Sequence, residues 1–214
     1  MHIPDGFLST PVAVGSWAVS TGAVGYAARR AARELGDRQV PLMGVSGAFI
    51  FAAQMLNFPV AGGTSGHLLG GALAAILLGP WQAALALTAV LGVQALLFQD
   101  GGLLVLGANV LNMAVVGVLT AWLTYRAGLA LLGSGRTASL VSTFVAAWLS
   151  VVVASLLAAV ELALSGAYAA GAVLTAMGGV HLLIGLGEGL ITTAVIAFVT
   201  ATRPGLLALQ PARA

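Results

Sequence analysis

The first residues of the chain carry the chemistry that is easiest to specify. A free α-amine on Met1, the backbone nitrogen of His2 and the His2 imidazole can chelate one cation. Amine and amide nitrogen close a five-membered ring, and amide nitrogen and Nδ1 close a six-membered ring. The three nitrogens then share a plane with one position open. A second imidazole would complete a square, a geometry that suits Ni(II) or Cu(II). The ordinary amine pKa, about 7.7–8.0, makes deprotonation easy near neutral pH. A lone histidine at a chain start would otherwise read as an exposed residue. Ile3-Pro4-Asp5-Gly6 weighs against that. Proline restrains Ile3 to an extended state and Asp-Gly favours a turn, so the segment is built to fold back into a larger body. Met1 is expected to persist, because the start has no basic signal region and His2 is a bulky second residue. Asp5 is read first as a cap for the helix that follows and second as an acceptor for His2.

His67 is the candidate for the missing imidazole. It follows the glycine-rich stretch NFPVAGGTSG and is placed in the first turn of a third helix, with Thr64 or Ser65 as its cap. A helix N-terminus disfavours protonated imidazole, which keeps the ring able to bind metal, but it also mildly opposes a cation. The plain alternative is a hydrogen-bonded interfacial histidine. Asn109 and Asn112 lie three apart and either support the N-terminal segment or join helices to one another. His181 and Glu188 lie two turns apart in the last apolar segment. Glu188 needs a partner or a proton at that depth, and both residues are read as structural before metal-binding. Glu161 reads as a solvated helix end and Asp100 as a turn residue.

These residues need an unusual scaffold. Of 214 residues, 60% are hydrophobic and only 7% charged, against about 25% charged in a soluble domain. Such a chain cannot cover a water-facing surface. The expected fold is all-α, a multi-pass membrane bundle in one integral domain over residues 1–214, with residues 1–10 as a chelating segment tucked into it. Seven apolar segments fall at about 11–28, 41–57, 65–79, 81–98, 103–125, 138–164 and 171–201. Thr10-Pro11, Gly79-Pro80, Asp100-Gly101-Gly102 and the GSGR stretch at 133–136 punctuate them. With seven spans all eight basic residues (Arg29, Arg30, Arg33, Arg38, Arg126, Arg136, Arg203 and Arg213) fall on one side. The positive-inside rule makes that side cytoplasmic and puts the N-terminus outside. The high pI therefore reflects topology and not nucleic-acid binding. With no cysteine, any metal must take nitrogen or oxygen ligands. Gly15, Ala18, Gly22 and Gly25 make a small-residue stripe on the first helix. It serves either internal packing or the docking of another membrane subunit.

MHIPDGFLS, FPVAGGTSGHLLGG, LFQDGGLLVLGANVLNM and GLGEGLIT resemble the substrate-binding (S) component of cobalt/nickel energy-coupling factor transporters, the CbiM/NikM group. The similarity runs over nearly the whole chain. It implies metal ligands on Met1 (amine), His2 (backbone and side chain) and His67, with Co(II) or Ni(II) as the transported species and not a cofactor. It also implies partners: a membrane coupling (T) subunit, ATP-binding cassette subunits and a small accessory membrane subunit. The location would be a bacterial or archaeal inner membrane. No Walker A pattern and no ligand cluster with a general base, such as HExxH, is present, so neither an ATPase nor an intramembrane metalloenzyme is expected. The rival transport reading, a self-sufficient secondary metal carrier, would need several deep carboxylates, and only Glu188 is read as deep. A vitamin-binding S component would leave the histidine chelate unexplained.

Overall fold

A computed structural model describes residues 1–36, 39–60, 64–133 and 135–208, excluding the side chains of Phe58, Pro59 and Thr64. Arg38, Arg213, residues 61–63 of the glycine-rich stretch and Ser134 of the GSGR stretch lie outside the described residues. Seven helices are described: α1 Thr10–Glu34, α2 Gln39–Gln54, α3 Gly71–Leu78, α4 Pro80–Leu97, α5 Leu106–Leu132, α6 Arg136–Leu164 and α7 Ala170–Thr202. A hairpin of β1 Phe58–Val60 and β2 Thr64–Gly66 joins α2 to α3, pairing antiparallel with Phe58 opposite Gly66.

Punctuation in the sequence explains most boundaries. Ser9 occupies the N-cap position of α1 without a side-chain capping bond, one residue before the expected Thr10, and Pro11 lies in the first turn. Gly79, at φ +84°, ends α3 and starts α4 with Pro80. Helices α4 to α7 are long and apolar enough to cross a membrane, α2 is a shorter apolar helix of 16 residues, and the chain is a membrane protein.

The third apolar segment differs from expectation. Only the eight residues Gly71–Leu78 of it are helical, and all eight are buried. Eight residues make about 12 Å of helix, so α3 is a central peg wrapped by other helices. Thr64 and Ser65 lie before it in β2 and His67 in the irregular stretch that follows, and Gly70 at φ +75° occupies the cap position. The helix-dipole argument for His67 therefore does not apply. Thr64 and Ser65 do not cap α3, because the glycines let the chain turn sharply into the bundle before helix begins.

α5 opens with one α-helical turn and widens into a π-helical stretch, Val110–Gly117. Such bulges are frequent at functional sites. α6 and α7 form the longest antiparallel pair, and the hairpin rests against α7. The two ends of the bundle differ. Met1, Ser65 and Asp100 meet at one end. Arg30, Glu34, Gly79 and Arg126 line a single cavity of about 410 Å³ at the other.

Candidate metal site

The first three residues are buried: Met1 and Ile3 are 0% exposed and His2 is 4% exposed. Burying extended backbone requires partners for its amides, and side chains supply them. Asn109, at the end of the first turn of α5, pairs with Ile3 as a neighbouring strand would. Its Oδ1 accepts from Ile3 N at 2.8 Å and its Nδ2 donates to Ile3 O at 3.1 Å. Gly102 N also donates to Ile3 O, at 2.9 Å. The Asp5 carboxylate accepts from the backbone N–H groups of Leu103, Leu104 and Val105 at 3.1, 2.9 and 3.3 Å. Asp5 therefore caps the approach to α5 and not α1, a correction to the first reading. Its partners lie 98 to 100 residues away.

Two glycines permit this approach. A Cβ on Gly102 would collide with the backbone and carboxylate of Asp5, and one on Gly101, itself at φ +91°, would crowd the His2 ring and Asn109. The DGG run is thus a seat for the N-terminal segment as well as a turn.

This seat places three nitrogen groups together. The Met1 amine donates to Ser65 O, and to Ser65 Oγ at 3.3 Å, so the chain start lies on β2. The His2 and His67 rings stack with centroids 4.5 Å apart and planes 24° apart. Their hydrogen bonds assign the tautomers. His2 Nε2 donates to Gln94 Oε1 at 3.2 Å, leaving Nδ1 buried without a hydrogen-bond partner. That is the nitrogen a six-membered chelate ring requires. His67 Nδ1 donates to Leu68 O at 2.7 Å, leaving Nε2 buried and unpartnered. Two buried lone pairs without donors are costly unless something fills the gap between them.

Electrostatics point the same way. Burial lowers the Met1 amine from 8.0 to about 4, with the Asp100 charge partly opposing. Burial, and secondarily the neighbouring amine, lowers His2 to about 3 against the pull of the Gln94 hydrogen bond. Both groups are neutral at pH 7, and the 3.2 Å approach of Asp100 Oδ1 to His2 Nδ1 is therefore not an ion pair. Burial also raises Asp100, with the amine and Asn57 acting in the other direction.

Among the described residues, no three His, Cys, Asp or Glu side chains are close enough to hold a metal. A donor set of this kind needs only two such side chains, because its other two nitrogens are the terminal amine and a backbone amide.

The remaining candidates separate. Asn112 donates to Glu161 Oε2 at 2.6 Å, and Ser16 Oγ donates to Glu161 Oε1 at 2.8 Å, joining α5 and α1 to α6. Glu161 is 5% exposed and not a solvated helix end, because Ser16 and Asn112 give its carboxylate donors inside the bundle. Asn109 supports the N-terminal segment and Asn112 joins helices. Glu188 accepts from Leu69 N at 2.9 Å and Gly70 N at 2.7 Å, gripping the backbone just after His67. His181 donates from Nδ1 to Met177 O at 2.8 Å and keeps Nε2 buried and unpartnered. Gln94 was missed in the sequence, although a lone amide in an apolar span needs a partner by the same logic that singled out Asn109.

The chain is similar to known metal transport proteins over most of its length. The family described as "Cobalt uptake substrate-specific transmembrane region" (CbiM) matches residues 2–206. A putative metal transport protein of Haloquadratum walsbyi is 45% identical over 98% of this chain and 94% of its own length. A putative fused nickel transport protein, NikMN, of Archaeoglobus fulgidus is 43% identical over 97% of this chain and 68% of its own. A crystal structure titled as a truncated transition metal transporter superposes with a TM-score of 0.88 at 33% identity, covering 94% of this chain and 99% of that one.

Proposed function

The chain belongs to the CbiM family of cobalt-uptake transmembrane proteins, and from that premise we propose that it is the metal-specificity component of an ATP-driven energy-coupling factor importer. It captures Co(II) or Ni(II) from outside the cell. Seven crossings put the N-terminus outside and the arginine-rich end in the cytoplasm.

The ion is held by the Met1 amine, the His2 backbone nitrogen, His2 Nδ1 and His67 Nε2. The observation that carries this reading is the pair of stacked imidazoles, each with a buried unpartnered nitrogen, beside a buried terminal amine. Amine and imidazoles are already neutral, so binding displaces a proton only from the His2 amide. Asn109, Asp5 and Gly102 fix the segment before the ion arrives, which reduces the ordering cost of binding. Energy comes from partners: a membrane coupling subunit, ATP-binding cassette subunits and a small accessory membrane subunit. The open small-residue stripe of α1 is the docking face for the coupling subunit.

Inserting one alanine between Met1 and His2 tests the chelate. It keeps every side chain but destroys the ring sequence of amine, amide and imidazole. Purified protein carrying the insertion is expected to lose Ni(II) binding in a calorimetric titration. Undiminished affinity would remove the N-terminal site from consideration.

A further inference from the structure

One short length of chain attends both ring nitrogens of His2. Gln94 Oε1 lies 3.2 Å from Nε2, and Asp100 Oδ1 lies 3.2 Å from Nδ1. The end of α4 sets both. The Gln94 carbonyl accepts from Phe98 N and from Asp100 N, each at 3.1 Å, and Gln99 between them takes the left-handed conformation at φ +54°. Asn57 Nδ2 donates to the other Asp100 oxygen at 3.2 Å and holds the carboxylate in place.

The contact at Nδ1 is not a hydrogen bond, since Nδ1 has none. Asp100 is half-buried, and the two buried acids are engaged elsewhere: Glu161 with Ser16 and Asn112, Glu188 with the Leu69 and Gly70 amides. Asp5 is bound to the amides of 103–105.

A divalent ion bound by a neutral amine, a deprotonated amide and two neutral imidazoles carries a net charge of about +1, and an uncompensated charge is costly to bury. Building on the chelate proposed above, we infer that Asp100 is the counter-charge of the bound ion. It stands 3.2 Å from His2 Nδ1, makes the loaded site neutral, and so selects divalent over monovalent cations. It positions no ring and donates no electron pair to the metal; its effect is through space.

The test is Asp100→Asn, which keeps the shape and the acceptor for Asn57 but removes the charge. Purified wild type and variant are titrated with Ni(II) and their d–d absorption recorded. The inference expects affinity about tenfold or more lower in the variant, with the same four-nitrogen absorption band and the same melting temperature without metal. Asp100→Glu is expected to recover most of the affinity. Equal affinity in wild type and Asp100→Asn would overturn the inference, and so would a shifted band, which would make Asp100 a direct ligand. A wild-type protein lacking a four-nitrogen band would instead overturn the chelate itself, so the two failures are distinguishable.

Discussion

Two sets of glycines in this protein look alike in the sequence and do opposite things. Gly101 and Gly102 are hemmed in, and an added methyl would strike Asp5 or crowd His2 and Asn109. Gly15, Gly22 and Gly25 on α1 face open space, with nothing within 4 Å of an added Cβ, and Ala18 beside them is exposed. At the first pair, absence of a side chain admits another part of the same chain. Along the stripe no other part of the described chain takes the room, which sets aside the internal-packing reading. The polar end of the bundle is packed by the chain's own N-terminal segment, whereas the α1 face is left for lipid or another subunit.

Substitutions can break that contrast at graded points. His67→Ala, at the centre of the polar end, should lower Ni(II) affinity roughly 100-fold or more by removing a nitrogen donor, with little change in helical circular dichroism. Gly102→Val should come next. It forces Asp5 and Ile3 out of their seat and should weaken binding by about 100-fold while the bundle still melts cooperatively. Asn109→Leu keeps the volume but removes both bonds to Ile3, for an expected loss of about 10- to 100-fold, typical of residues that orient ligands. Gly22→Leu should leave metal affinity unchanged and instead lower recovery of the complex with the coupling subunit on co-purification. If Gly22→Leu abolished metal binding as well, the contrast between the two glycine sets would fail.

The proposed chelate could be drawn from the sequence because it depends on bond counting along two residues. The membrane class was legible because 7% charged residues cannot coat a soluble surface. Partners far along the chain were not. Asp5 follows a proline and precedes a helix, so it resembled a local cap, yet its acceptor role is taken up 98 residues later. Glu161 lies near a helix end, which in isolation predicts solvent, but Ser16 and Asn112 approach from two other helices. His67 was assigned to a helix because GHLLGGALAAILL reads as one apolar run. Hydrophobic periodicity does not mark where the helix in such a run begins, and here that point follows Gly70.

Glu188 has a mechanical consequence. Its two oxygens hold the amides of Leu69 and Gly70, so the stretch carrying His67 is fastened to the middle of a 33-residue helix. A tilt of α7 would be transmitted through that fastening, as a lever moves the load at its short arm. Force applied at the arginine end, far from the imidazole, thereby has a rigid route to it.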